Sequence, residues 1–294
     1  MKPIAIFGRE FSATHVEGVS QFFSELHKHE VSIAVFEPFL HFLKDSMVLS
    51  TENITSFTRD SFAPAEYEFL ISVGGDGTML DATTFVKDSG LPMLGVNTGR
   101  LGFLSSISLD QTSDALEQLI GDAYMIDRRS VLKLETECNV FGDNNFALNE
   151  LTLHKKDTQS MIVIQAYVDG KFLNTYWADG LIIATPTGST AYSLSCGGPI
   201  ILPGSSNFII TPVAPHNLNV RPVLIDHNSI VTLRVESRSP QVLISLDSRS
   251  ETIDSDTVIT LSRNDFDINL IRLKNHSFLK TLRNKLHWGY DKRN

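Results

Sequence analysis

Residues 70–82 read LISVGGDGTMLDA, a short apolar run that breaks into three glycines arranged around one acid. The run suits a buried strand and the residues after it suit a helix, so the stretch predicts a strand–turn–helix connection. In an α/β sheet, ligands sit at the carboxyl ends of the strands, and this turn falls at such an end. Gly74, Gly75 and Gly77 can take positive φ and carry no Cβ, so a phosphate could approach their N–H groups closely. Thr78 is expected to cap a helix running through Met79 and Leu80, whose N-terminus favours anions. Two common phosphate motifs fail here. The dinucleotide fingerprint lacks its third glycine, because Leu80 stands there, and no Gly-Lys-Ser/Thr follows as a Walker loop requires. What is left is a phosphate-sized turn with Asp76 at its centre. That acid would repel a phosphate unless it has a separate task, such as taking a proton from an attacking hydroxyl or holding a divalent cation. A plain strand–helix connection would account for Asp-Gly alone, but three glycines around one acid after a buried strand favour phosphoryl chemistry.

Working outward, the first 125 residues alternate between short apolar runs and helical periods. PIAIFG (3–8), VSIAVF (31–36), EFLISV (68–73) and PMLGV (92–96) are strand candidates, and Val16, Val19, Phe22, Phe23 and Leu26 fall at helical spacing. Such runs separated by helices imply βαβ units and a parallel sheet. The texture then changes. From residue 130 to residue 273 the chain reads as closely spaced strands, and MIVIQAYVDGKFLNTYW (161–177) carries a hairpin signal at Asp169–Gly170. Phe278, Leu279, Leu282 and Leu286 suggest one terminal amphipathic helix. The expected class is therefore α/β plus all-β. A Rossmann-like α/β domain over residues 1–125 carries the GGDGT loop, a β-rich, sandwich-like domain spans 126–275, and 276–294 returns to the first.

Composition bounds the partners. Of 294 residues, 42% are hydrophobic and 20% charged, which describes an ordinary soluble globular protein. No run approaches the ~20 apolar residues of a bilayer span, and the start reads as a strand and not as a signal peptide. A net charge of −9 without a dense Lys/Arg run argues against nucleic acid. Cys138 and Cys196 are far apart and form no CxxC, so neither a disulfide framework nor a zinc site is expected, and a reducing cytoplasm is the default. No histidine has metal-ligand spacing, and no protein-built metal site is expected.

Two further clusters carry polar groups. Asn149 and Glu150 interrupt the strand-like NFALNELTLH; on spacing alone an ordinary exposed polar pair stands beside a pair that reads a base edge and a ribose diol. WADGLIIATPTGSTAYSLSCGGPI (177–200) is richer, with Asp179–Gly180 opening a buried run and STAYSLS offering hydroxyls and helix-start N–H groups together. It is not a nucleophile elbow, since no Gly-x-Ser-x-Gly is present.

Taken together these segments resemble the NAD kinase family. The family's pattern stands here as GGDGT (74–78), NTGRLGFL (97–104), NE (149–150), DGLIIATPTGSTAYSLSCGGP (179–199) and PVAPHNLNVRP (212–222), in the family's order and over most of the chain. GGDG alone is shared with lipid kinases and phosphofructokinases, whereas the 179–199 block is specific. The resemblance implies transfer of the terminal phosphate of ATP, with Mg²⁺, to the 2′-hydroxyl of the adenosine ribose of NAD. Asp76 then takes the hydroxyl proton, Gly77 lies against the dinucleotide, and Asn149 and Glu150 hold adenine and ribose. Thr190, Ala191, Tyr192, Ser193, Leu194 and Ser195 wrap the adenine, with Tyr192 as the aromatic surface. Asp179 contacts the nicotinamide side or a ribose hydroxyl, and Ala214 sits near the nicotinamide end. Trp177 stands where many bacterial members carry a basic residue, leaving a stacking role, while Ser160 and Arg249 occupy positions that touch ligand in some members. A homodimer or homotetramer is also implied. Two other readings are a diacylglycerol-type lipid kinase sharing GGDGT and a non-catalytic NADP sensor; the 185–195 block and the lack of a membrane-docking stretch oppose the first, and the intact acid opposes the second.

Overall fold

The opening apolar run becomes β1 (Ile4–Gly8), buried at every position. The computed structural model describes residues 2–46, 54–105, 107–156, 161–274 and 276–287. Two units divide the chain: residues 1–128 with 268–294, and residues 129–267.

In the first unit β1 leads into α1 (Val16–Lys28), whose Val19, Phe22, Phe23 and Leu26 are buried at the helical spacing of the sequence. Next come β2 (Ile33–Phe36), α2 (Glu37–Ser46) and β3 (Ile54–Phe57). Then follow β4 (Leu70–Val73), α3 (Asp76–Val86), β5 (Met93–Asn97), the short β6 (Ile107–Ser108) and α4 (Thr112–Ile120). The strands pair in parallel in the order β5-β4-β1-β2-β3. The winding reverses between β1 and β4, so their carboxyl ends lie side by side, with Gly8 opposite Val73. That is the topological switch point where doubly wound sheets bind ligands. Phe7, Phe36, Phe57 and Phe85 pack ring against ring on one face of this sheet. Gly8 allows part of the packing on the other side, because a methyl there would come within 2.4 Å of the Phe39 ring.

The second unit is β-rich, as the change of period predicts. After β7 (Tyr124–Glu135), which enters this unit at Arg129, and β8 (Phe146–Ala147) come β9 (Glu150–Lys155), β10 (Ile162–Val168), β11 (Lys171–Ala178), β12 (Gly180–Ala184) and the one-turn helix α5 (Tyr192–Ser195). β13 (Asn207–Val213), β14 (Val223–Asp226), β15 (Val231–Glu236), β16 (Gln241–Leu246), β17 (Arg249–Asp254) and β18 (Ile259–Leu273) complete it. One antiparallel sheet runs β14-β13-β12-β9-β16-β17, and β11-β10-β15-β18 forms the other. Alternate residues of both, among them Leu151, Leu153, Ile162, Ile164, Leu181, Ile183, Leu233 and Ile244, meet in one core, the layout of a β-sandwich. β12 is buried on both faces: Ile182 and Ala184 pack instead with Ile201, Ile209 and Val213. The hairpin expected at Asp169–Gly170 forms, with φ of 51° and 73° at the two turn residues, as a type I′ turn requires.

From Ile268 onward β18 belongs with the first unit, where Leu270 pairs with Met93 of β5. α6 (Phe278–Leu286) follows at the place the terminal apolar period predicts, with Leu282 buried and Leu279 half exposed.

Candidate functional site

The GGDGT turn departs from expectation in its cap. α3 begins at Asp76 itself, with Gly75 at the N-cap and no side-chain cap hydrogen bond, so Thr78 lies inside the helix and caps nothing. Only Gly74 takes positive φ, at 153°; Gly75 is at −93°. Gly74 is also required sterically, because a methyl there would meet the Thr78 hydroxyl at 2.3 Å. Gly75 and Gly77 have nothing within 4 Å of where a Cβ would sit. Their bare backbone faces open space, which is what close approach of a ligand demands.

Asp76 does not project freely. Its Oδ2 accepts the Phe103 N–H at 2.8 Å, and its Oδ1 accepts those of Leu104 and Ser105 at 3.0 and 2.9 Å. The NTGRLGFL segment thus wraps over the acid. Gly102 is what lets it do so, since a methyl at Gly102 would lie 1.8 Å from Oδ1. A carboxylate at the first helical position also suits the helix dipole. With about four lone-pair sites and three amides bound, the carboxylate keeps acceptor capacity for one more partner. It opens on a cavity of about 320 Å³ whose lining includes Gly75, Asn97, Thr98, Arg100 and Lys285. A larger groove, about 610 Å³, runs along Leu173, Asn174, Asn217 and Arg221 of the second unit, and no candidate site residue lines it.

The second unit gathers most of the other candidates. Asn149 and Glu150 are buried, 8% and 9% exposed, so they are not an ordinary exposed polar pair. The cause is Asp247, which sequence reasoning overlooked. Its carboxylate is buried and accepts the N–H groups of Leu148, Asn149 and Glu150 at 2.9, 2.8 and 3.2 Å. Its own N–H returns a bond to the Glu150 carbonyl at 3.0 Å. Asp247 sits at φ 54°, the left-handed region that short acids tolerate. The only local hint was an acid ending the alternating run QVLISLDS. Burial pushes the Glu150 carboxyl up to about 8; the Asp247 charge adds to this and the Tyr192 N–H partly offsets it. Burial also raises Asp247, against the pull of its three amide donors and of Arg249. One oxygen of Glu150, Oε2, has no hydrogen-bond partner. Such an orphaned buried oxygen is a feature of sites built to meet a ligand.

The TPTGSTAYS block closes over this pair. The Thr185 hydroxyl donates to the Leu148 carbonyl at 2.6 Å, and its N–H to the Asn149 carbonyl at 2.8 Å. Gly188 is required, because a methyl there would come within 2.2 Å of the Asn149 carbonyl oxygen. Ser189 accepts the Ile201 N–H at 3.0 Å and is fully buried. Thr190 and Ala191 lead into α5, where the Ser193 hydroxyl bonds Thr211 at 2.8 Å and Tyr192 leaves its ring partly exposed. Burial raises the Tyr192 phenol, and Cys196 beside it adds to the effect. Leu194 and Ser195 complete this turn.

The remaining candidates scatter. Asp179 pairs with Lys155 at 2.6 Å and its N–H bonds the Val213 carbonyl. Ala214, at φ 45°, follows directly on β13. Trp177 is half exposed, and its carbonyl accepts the His216 N–H at 2.8 Å. Arg249 points its guanidinium at the Asn144 and Phe146 carbonyls and over the Phe146 ring, holding the chain before β8. Ser160 lies outside the described residues. Among the described residues, no three His, Cys, Asp or Glu side chains come together as a metal cluster.

Residues 5–124 match the model of the ATP-NAD kinase N-terminal domain, and residues 148–273 that of the ATP-NAD kinase C-terminal domain. The NAD kinase of Cytophaga hutchinsonii is 43% identical over 290 residues, 99% of both chains. That of Bacteroides fragilis is 44% identical over 289 residues, 98% of this chain and 99% of the relative. Among solved structures, yeast NADH kinase complexed with NADH aligns with a TM-score of 0.87 at 22% identity, covering 99% of this chain and 89% of that one. An NAD kinase from Archaeoglobus fulgidus in complex with ATP aligns with a TM-score of 0.73 at 23% identity, covering 97% and 98%.

Proposed function

This chain belongs to the NAD kinase family, and from that premise we propose that it transfers the terminal phosphoryl group of ATP to the 2′-hydroxyl of the adenosine ribose of NAD. The new bond joins the ribose oxygen to phosphorus, the bridging bond of ATP breaks, and ADP leaves with the electron pair. Asp76 accepts the hydroxyl proton. The observation that carries this reading is the Asp76 carboxylate, held by three amides beside open glycine backbone at the mouth of a polar cavity. Held so, the acid is oriented before substrate arrives, and orientation is a large part of what phosphoryl transfer asks of a protein.

Mg²⁺ fits as a passenger of the donor. With no protein-built cluster among the described residues, the cation would be held chiefly by phosphate oxygens, the usual habit of Mg²⁺, with Asp76 as the nearby carboxylate. It would supply charge neutralisation on the transferred group.

In the acceptor site Asn149 and Glu150 hold adenine and ribose, and the buried Glu150 oxygen without a partner supports this by offering an unmet hydrogen-bonding group. Thr190 through Ser195 wrap the base, Tyr192 offering its exposed face. Gly77 lies against the dinucleotide, and Asp179, Ala214 and Trp177 serve the nicotinamide side. Ser160 and Arg249 are further contacts in this reading; for Arg249 that means giving up part of its grip on the Asn144 and Phe146 carbonyls. A homodimer or homotetramer in the cytoplasm completes the proposal.

Incubation with NAD, ATP and Mg²⁺, followed by an NADP-specific dehydrogenase, tests it directly. Reduction of NADP by the coupling enzyme is expected. No product with ATP or with polyphosphate, despite NAD binding, would return the chain to the sensor reading, and turnover of diacylglycerol alone to the lipid kinase reading.

A further inference from the structure

We infer that Lys285 of α6, together with Arg100, binds the phosphate chain of the donor; the inference rests on the kinase reading and deepens it. Both side chains line the cavity that Gly75 and Asp76 open on. Among the described residues neither forms an ion pair. The carboxylate that shares the cavity lining with them, Asp76, is already met by three amide donors. The cavity therefore presents two uncompensated cations to solvent above bare glycine backbone, where a methyl on Gly75 or Gly77 would touch nothing. A linear oligophosphate matches that chemistry: several negative charges, no need of apolar walls, and oxygens small enough to reach main-chain N–H groups. A nucleobase matches it poorly, because the aromatic ring at this place, Phe103, already carries the Lys285 ammonium 5.0 Å from its centre.

The position of Lys285 is not incidental. Phe103 gives its N–H to Asp76, packs against Phe278 of α6 with ring centres 6.0 Å apart, and supports the Lys285 ammonium. One residue thus ties the candidate base, the wrapping loop and the helix that carries the cation. Nothing in the local sequence joins position 285 to position 76, which is why the lysine escapes motif reading.

Lys285→Met keeps the alkyl stem over Phe103 and removes only the charge. Calorimetry with inorganic tripolyphosphate and, separately, with Mg-ATP reads the effect without turnover. Loss of one partly exposed cation should weaken both by about three- to tenfold, with NAD affinity and Tm unchanged and with Lys285→Arg close to wild type. Arg100→Met should weaken both similarly. Unchanged tripolyphosphate affinity in Lys285→Met overturns the inference, as does a loss confined to Mg-ATP, which would put the lysine against the nucleoside. A parallel fall in Tm and NAD affinity also overturns it, since the side chain would then act through the fold. Failure of the kinase reading looks different: wild-type protein would bind tripolyphosphate through Lys285 and still never phosphorylate NAD.

Discussion

Glu150→Gln should make this protein more resistant to alkaline unfolding. The wild-type carboxyl ionises with a value pushed up from 4.5 to about 8 by burial and by the Asp247 charge. Above the unfolded value the unfolded chain has released this proton while the native state still holds it. The native state therefore binds more protons, and stability falls as pH rises, until the native carboxyl also ionises near 8. One proton of difference amounts to ~1.4 kcal/mol per pH unit, so wild type should lose about 2 kcal/mol between about pH 6 and pH 8 through this group alone. For a protein of this size that is roughly 3–4 °C in Tm. Glutamine keeps the shape, cannot ionise, and removes this loss, although Asp247 then ionises more readily beside it. Melting both proteins by circular dichroism at half-unit pH steps gives the comparison. The curves should draw apart with rising pH, wild type falling faster, and then run parallel above the native value. Curves parallel throughout, or a carbon-13 titration placing the Glu150 carboxyl near 4.5, would refute the reasoning.

Asp76→Asn should retain NAD binding and lose about 10²–10⁴ in kcat, and steady-state kinetics with calorimetry will tell; near-normal turnover would remove Asp76 from the base role. Gly102→Ala places a methyl on Oδ1 of Asp76. Breaking two of the three charge-assisted amide bonds there should cost about 3–5 kcal/mol, visible in urea unfolding, together with most activity. Gly77→Ala is the contrasting case: it meets no neighbour and should leave Tm equal or slightly raised while KM for substrate climbs. Asp247→Asn keeps a residue tolerant of its positive φ but loses an acceptor for buried amides, so about 1–3 kcal/mol of stability should go. It should also bring the alkaline limb of the Glu150 stability profile to lower pH.

The two halves, the hairpin at Asp169–Gly170, the placement of GGDGT after a buried strand and the last helix were all legible from residue order. Each depends on contacts within a few positions, where hydrophobic period and glycine chemistry act directly. Thr78 shows the limit of such reasoning: a threonine after a glycine turn is a good cap, yet the helix starts three residues earlier than that cap implies because Gly75 adopts the extended N-cap conformation itself. Asn149 and Glu150 show it again, since their burial comes from Asp247, almost a hundred positions away.

By itself the sequence determined the change from an α/β half to a β-rich half and where the glycine turns and polar clusters fall along the chain, because those properties follow from side-chain period and local backbone freedom. Only the tertiary structure decided the state of the acids. Three amides from residues 103–105 bind Asp76, burial and then a neighbouring aspartate raise Glu150, and a lysine from α6 lines the cavity that Asp76 opens on. Hydrogen bonds and desolvation depend on what lies next to a group in space, and neighbours so distant along the chain leave no trace in its local pattern.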